Sequence, residues 1–133
     1  MIVLDTDVVS NLMRPRPSPF LTARLAEVPA ADQCTTAVTI GELAYGAHRV
    51  GRPDLYQRAM RLLGAARILP FDRDAAERYG QLRCDLEREG RRLADPDLRI
   101  AATVLAHGGT LITGNVRHFR RIASLPVENW LLG

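Results

Sequence analysis

Three acidic residues interrupt apolar stretches of this 133-residue chain. Asp5 directly follows the run Ile2-Val3-Leu4, and Glu42 and Asp97 lie within otherwise apolar helical patterns. Carboxylates are rarely buried without a charge partner. Two of them 4 Å apart would repel each other by roughly 4 kcal/mol at an effective dielectric constant near 20. If the fold brings the acids together, a cation must join them, so the sequence predicts a small metal-binding domain whose chemistry depends on the metal.

Short apolar, β-branched runs alternate with helical patterns, which is typical of a parallel sheet covered by helices. The predicted strands are Ile2–Leu4, Cys34–Ala37, Arg67–Pro70, Thr110–Thr113 and, more weakly, Pro126–Glu128. Apolar spacing predicts helices around 21–28, 43–50 and 55–63, and longer ones over 74–89 and 96–107. We therefore expect an α/β fold, and the length fits one domain over residues 1–133.

The predicted elements place the acids at one edge of the sheet, because ligands of open α/β sheets bind outside the carboxyl ends of the strands. Asp5 follows the first strand, Glu42 lies about one turn into the helix after the second, and Asn115 follows Thr110–Thr113. Asp97 precedes the apolar Ile100 by three positions, so it lies on the core side of its helix. A metal would explain why these polar groups share one rim.

Helix capping explains the same residues individually. Thr39-Ile40-Gly41-Glu42 fits a capping box, and Asp95-Pro96-Asp97 fits a helix start with Asp95 as N-cap. Further candidate caps are Asp5, Thr6, Asp7 and Asn115. Both interpretations stay open, because a helix N-terminus at a strand end can cap and ligate at once.

The net charge of +3 comes with 18 basic residues, all of them arginine, so no mechanism that needs an ammonium group is available. Arginine forms bidentate hydrogen bonds to phosphate. Arg117, Arg120 and Arg121 are candidates for contacts with a phosphate backbone, although a solvated helix face explains them too. Two cysteines without a CxxC motif favour reduced thiols over a disulfide framework or zinc site. No stretch resembles an export signal or membrane span, and we expect a cytoplasmic protein.

Four motifs occur in order over nearly the whole chain. They are Met1-Ile2-Val3-Leu4-Asp5-Thr6-Asp7, Thr36–Gly46 with Thr39, Glu42-Leu43 and Tyr45-Gly46, Asp97-Leu98-Arg99-Ile100-Ala101-Ala102, and Leu111-Ile112-Thr113-Gly114-Asn115 with Phe119. Together they resemble the PIN-domain family, especially the VapC-type toxins of toxin–antitoxin modules and their FitB-like relatives.

The resemblance implies a three-layer fold with a mainly parallel sheet of four or five strands between helices. It also implies a divalent-metal-dependent endoribonuclease, the toxin of a VapBC-type system, inhibited by a cognate VapB-type antitoxin and usually a homodimer. Asp5, Glu42 and Asp97 match the family's acidic triad. Asp5 and Asp97 would ligate Mg²⁺ or Mn²⁺, with Glu42 acting through water. The ion would activate a water for in-line attack on an RNA phosphodiester, leaving 5′-phosphate and 3′-hydroxyl ends.

The fourth acidic position of the family departs from the common pattern. Asn115 stands where many members have an acid, and Asp7 stands where asparagine or serine is common. Asp7 or Asp95 could compensate, so we expect one tightly held metal and a second that depends on these acids or the substrate. Thr6, Thr113 and Asn115 are expected to support ligands or substrate by hydrogen bonds.

Two rival functions remain open from the sequence. Leu4-Asp5-Thr6-Asp7-Val8 also fits the nucleophile motif of a haloacid-dehalogenase-like phosphatase with Asp5 as nucleophile, but the missing lysine and the short chain count against it. A response-receiver domain would also need a lysine. The non-enzymatic rival is a PIN-like binding or regulatory module, which the intact triad disfavours.

Overall fold

Five short parallel strands form one sheet in this computed structural model, which describes residues 1–132. The strands are β1 (Ile2–Leu4), β2 (Gln33–Thr36), β3 (Arg67–Leu69), β4 (Thr110–Ile112) and β5 (Val127–Glu128), in the order β3-β2-β1-β4-β5. The helices are α1 (Thr6–Leu12), α2 (Pro19–Ala26), α3 (Ala37–Arg49), α4 (Pro53–Leu63), α5 (Arg73–Arg88), α6 (Asp95–His107) and α7 (Val116–Phe119), with a 3-10 turn at Ala30–Asp32.

The side chains of β1 alternate between two apolar clusters, one on each face of the sheet. Val3 packs in the cluster that contains Ile100 of α6, whereas Ile2 and Leu4 pack in the cluster that contains Val9 of α1. This alternation is what a strand buried on both faces requires. The sheet is therefore the middle of three layers.

The carboxyl edge of the sheet collects the starts of several helices. Chain segments leave β1, β2 and β4 at this edge and enter α1, α3 and α7. Helix α6 leads into the amino end of β4 through Gly108-Gly109, so its own start lies at the carboxyl edge as well. All four predicted acidic or amide positions therefore belong to segments that meet at this edge.

The predicted fold class is confirmed, including the parallel central sheet between helices. Predicted strand bounds agree with the structure to within one residue. Helix α3 begins earlier than the apolar pattern from Leu43 indicates, because Thr36 caps it by accepting a hydrogen bond from the Thr39 backbone amide. None of the helices among residues 1–132 combines the length and apolarity needed to cross a membrane.

Candidate active site

Asp5 is fixed by the backbone of two elements. Its amide donates to Ile112 O at 2.9 Å, which continues the pairing of β1 with β4. Its side chain is the N-cap of α1, with Oδ1 accepting from the Thr6 amide at 2.8 Å. The Thr113 hydroxyl donates to Oδ2 at 2.7 Å. The carboxylate is only 3% exposed, so the fold holds it in one place without a cationic side chain.

Asp7 holds the segment that follows β4. Its Oδ2 accepts from the Gly114 amide at 2.8 Å, and its Oδ1 lies 3.5 Å from the Thr113 hydroxyl. A Cβ on Gly114 would lie 2.8 Å from Asp7 Oδ2 and 2.9 Å from Leu131 Cδ1, so any larger residue would displace these side chains. Asp7 thus ties the first residues of α1 to the loop that carries Asn115.

Glu42 is oriented by a chain of hydroxyl groups. The Thr6 hydroxyl donates to Glu42 Oε1 at 2.7 Å and lies 3.1 Å from the Thr39 hydroxyl, which is 3.3 Å from that of Thr36. The N-cap of α3 is Thr36 rather than Thr39, so Glu42 is not the back-reaching member of a Thr39 capping box. Instead its carboxylate bonds to the start of α1, beside Asp5.

Asp97 lies in the first turn of α6 and is half-buried. Burial raises the pKa of its carboxyl group, and the nearby charges of Glu42 and Asp7 raise it further, while His118 acts in the opposite direction. The pKa of Asp5 is raised to about 7, first by burial and then by the charges of Asp7 and Asp97, against the hydrogen bonds from Thr113 and Thr6. The acids thus act on one another electrostatically.

This set of donors has the chemistry of a hard-cation site. Carboxylate and hydroxyl oxygens suit Mg²⁺ and Mn²⁺, and a divalent charge would offset the mutual repulsion that raises the two pKa values. Among residues 1–132, no three acidic, histidine or cysteine side chains lie close enough together to hold one ion. An open site in which one or two carboxylates and several waters hold the ion is the usual arrangement for Mg²⁺.

Asp95 lies among different partners from those of the other acids. Its Oδ2 is 2.6 Å from Arg99 Nε, and the Tyr79 hydroxyl donates to Oδ1. These contacts, the Tyr79 hydrogen bond first, lower the pKa of Asp95. Ala94 is the N-cap of α6, so Asp95 is also not the predicted cap. Its carboxylate is already paired with a positive charge and is not available to complete a metal site as it stands.

Asn115 and two of the three arginines that follow it are exposed, and Arg121 is partly buried. Asn115 is the N-cap of α7 by position, but its side chain makes no capping hydrogen bond. Arg117 and Arg120 are exposed, whereas Arg121 donates to the Arg92 carbonyl oxygen at 2.5 Å. Arg121 therefore has a structural partner, and the other two retain solvent-facing guanidinium groups.

Sequence reasoning missed two contributors to the site. Thr36 and Thr39 are buried hydroxyls behind Thr6 and Glu42, and their three-residue spacing at a strand-to-helix junction was the available signal. His118 is not among the predicted site residues, yet it lies close enough to Asp97 for its charge to lower the pKa of that carboxyl group. One turn of α7 separates it from Asn115, which places it on the rim.

Parallel strands between helices, with oxygen ligands for a cation at the carboxyl edge, define a three-layer α/β protein with a candidate metal site. The sequence profile of the PIN domain family matches residues 2–125, and the chain belongs to this family.

Individual relatives cover almost the same length. The chain is 29% identical over 130 residues to Ribonuclease VapC2 of Haemophilus influenzae, covering 97% of each protein, and 33% identical over 126 residues to Toxin FitB of Neisseria gonorrhoeae, covering 90% of this chain and 91% of that one. Among solved structures, FitAcB from Neisseria gonorrhoeae superimposes with a TM-score of 0.86 at 32% identity over 100% of both chains. VapBC-1 from nontypeable Haemophilus influenzae gives a TM-score of 0.84 at 30% identity over 98% of both.

Proposed function

We propose that this protein is a divalent-metal-dependent endoribonuclease and the toxin of a VapBC-type toxin–antitoxin system. The observation that carries the proposal is the buried Asp5 carboxylate at the end of the central strand, whose pKa is raised by burial and by neighbouring acids in a PIN-domain chain. A buried acid without a cationic partner is costly unless it serves a cation.

The names of the relatives support an RNA substrate and a protein inhibitor. Full-length relatives are named ribonucleases or tRNA(fMet)-specific endonucleases, and one is named a toxin. Similar solved structures include VapBC and FitAcB assemblies. We therefore propose RNA as substrate, a small VapB-type antitoxin as partner and a homodimer as the working form.

We propose Mg²⁺ or Mn²⁺ as the cofactor, with Asp5 and Asp97 as ligands and Glu42 acting through water. When bound, the ion supplies an activated water and neutralises charge on the phosphoryl group. Asp5 is held for this task by hydrogen bonds from Thr113 and the Thr6 amide. The Thr6 hydroxyl orients the Glu42 carboxylate, which supports the proposal that Glu42 positions the attacking water.

The remaining polar residues have supporting roles in this proposal. Asp7 keeps the Gly114 segment against α1, and Asn115 faces solvent where a phosphate oxygen would arrive. Arg117 and Arg120 on α7 are placed to contact the RNA backbone. Because water rather than a ribose 2′-hydroxyl is the nucleophile, the products carry 5′-phosphate and 3′-hydroxyl ends.

The test is cleavage of a structured RNA by purified protein in Mg²⁺ or Mn²⁺ and in EDTA. Asp5→Ala and Asp97→Ala should abolish cleavage, whereas Asp74→Ala, an exposed acid on α5, should leave it unchanged. The RNA products should be substrates for a ligase that requires a 5′-phosphate. Cleavage that persists in EDTA, or in both rim variants, would contradict the metal-dependent mechanism.

The antitoxin is tested separately by expressing the chain with and without the product of a small reading frame beside its gene. Toxicity that this product relieves, together with a purified complex lacking ribonuclease activity, is expected. If the protein cleaves RNA but no protein encoded beside its gene inhibits it, the assignment as a toxin is wrong and the ribonuclease function stands.

A further inference from the structure

Three arginines converge at the far end of α1 from the acidic rim. Arg14 follows α1, and Arg58 and Arg61 lie on α4; together with Met13 and two leucines they line a groove of about 310 Å³. We call this set, Arg14, Arg58 and Arg61, the arginine groove. No acidic side chain lines it.

The three guanidinium groups form no ion pair with an acid of the described residues, although Arg58 acts on Asp54 at longer range. The hydrogen bond from Arg52 lowers the pKa of Asp54 most, and the charge of Arg58 lowers it further. All three residues are exposed, and within residues 1–132 no carboxylate side chain forms an ion pair with any of them. Arg58 donates one hydrogen bond, from Nη2 to Met13 O at 3.0 Å, which fixes α4 against the end of α1. Asp54, at the start of α4, is paired with Arg52 instead. An unpaired cluster of guanidinium groups is suited to phosphate.

A second cavity lies between this groove and the candidate active site. It has a volume of about 190 Å³ and extends from Thr6 and Glu42 to Met13, which also lines the arginine groove. Its remaining wall is largely apolar, with Leu43 and Leu55 among its residues. Because α1 spans seven residues, the two ends of the path are separated by about 10 Å.

We propose that the arginine groove binds the phosphates of a single-stranded RNA segment next to the bond that is cleaved. This inference rests on the proposed ribonuclease function. The scissile phosphate lies at the rim, a nucleotide lies along the apolar cavity, and the following phosphates reach the guanidinium groups. The cavity along this path has a volume of only about 190 Å³, and unpaired nucleotides are what proteins bind by a basic track beside apolar surfaces.

The test compares Arg14→Gln/Arg61→Gln with Arg78→Gln, which removes an arginine whose cavity on α5 is lined by Asp74 and Glu77. Arg58 is kept because it bonds to the Met13 carbonyl oxygen. Binding of a fluorescein-labelled single-stranded 12-nucleotide RNA is followed by anisotropy in EDTA, at several salt concentrations. Each lost phosphate contact lowers the salt slope by about 0.7, so the double variant should lose about 1.4 and bind about 25-fold more weakly at 0.1 M salt.

Two further arms separate direct contact from a structural effect. Arg14→Lys/Arg61→Lys should restore the slope, because it restores the charge. Replacing single phosphates of the RNA by neutral methylphosphonates should weaken binding to the wild type at defined positions and have no further effect on the glutamine double variant. A double variant that binds like Arg78→Gln, or that loses affinity with an unchanged salt slope, overturns the proposal.

The outcomes also distinguish this inference from the proposed function. If RNA binding depends on the arginine groove but the protein does not cleave RNA in Mg²⁺, the proposed ribonuclease function is wrong and the proposed role of the groove stands. If the double variant cleaves and binds RNA like the wild type, the proposed role of the arginine groove is wrong and the ribonuclease function stands. If the double variant binds RNA normally but no longer binds its antitoxin, the groove serves a protein partner and the RNA assignment is wrong.

Discussion

Replacing Asp5 by asparagine should stabilise the metal-free protein, although it removes the central ligand. Burial raises the pKa of Asp5 from 3.8 to about 7. At a pH above both values the ionised carboxylate therefore costs about 4 kcal/mol of folding free energy, since each pKa unit corresponds to about 1.4 kcal/mol. Asparagine keeps the N-cap of α1, because it caps helices as well as aspartate does.

The sign of the pH dependence follows from proton binding. Below pH 3.8 the carboxyl group is protonated in both the folded and the unfolded chain, so Asp5 imposes no penalty. Between pH 3.8 and about 7 the folded state binds the proton more tightly, so the wild type loses stability as the pH rises. The penalty is about 2 kcal/mol at pH 5 and reaches its full value near pH 8.

The assay is urea unfolding in EDTA at pH 5 and pH 8. The difference in unfolding free energy between Asp5→Asn and the wild type should grow by about 2–3 kcal/mol between the two pH values. The exposed Asp74→Asn measures the general effect of removing one negative charge. Adding Mn²⁺ at pH 8 should stabilise the wild type and leave Asp5→Asn unchanged. A variant less stable than the wild type at pH 8, with no growth of the difference, would refute the desolvation argument.

Three other changes test the packing and the charge of the rim. Gly114→Ala should destabilise the protein by about 1–3 kcal/mol in thermal unfolding, because its Cβ would lie 2.8 Å from Asp7 Oδ2, whereas Gly46→Ala, with nothing within 4 Å, should not destabilise it. Thr39→Val should cost about 1–3 kcal/mol and lower the nuclease kcat, with Thr39→Ser restoring both, because a hydroxyl behind Thr6 is lost. Asn115→Asp should tighten Mn²⁺ binding about tenfold in calorimetry; unchanged affinity would place this position outside the metal's reach.

The sequence predicts β1 and β4 most directly, because each contains a short apolar run that ends at a polar residue. Asp5 could be placed at the end of β1 from this pattern alone, and the helix that starts there needs a cap. The position of Glu42 followed less directly. Thr39 and Glu42 have capping-box spacing, but α3 begins three residues earlier at the Thr36 cap, which turns Glu42 toward Thr6. That choice depends on a contact between segments 36 positions apart, which local patterns do not contain.

For Asp95, in contrast, helix geometry alone indicates that its side chain does not join the acidic rim. Residues two apart on a helix point about 200° away from each other, so Asp95 and Asp97 cannot both face the rim from α6. Arg99, four residues after Asp95, is the expected partner of an exposed helical acid. The structure contains this ion pair at 2.6 Å. The four-residue spacing from Asp95 to Arg99 therefore indicates the partner of Asp95, whereas its nearness in sequence to Asp97 does not.

The carboxylates of the rim are held by neutral donors, and this has a consequence for metal binding. The Thr113 hydroxyl and the Thr6 amide donate to Asp5, and the Gly114 amide donates to Asp7. The Thr6 hydroxyl donates to Glu42, whereas an arginine pairs with Asp95. An arginine at Asp5 would offset its charge within the fold and compete with a divalent ion. Neutral donors fix the direction of each carboxylate and leave its charge available, so the acids are preorganised for a cation from solution. The same separation leaves the arginine groove free for phosphate.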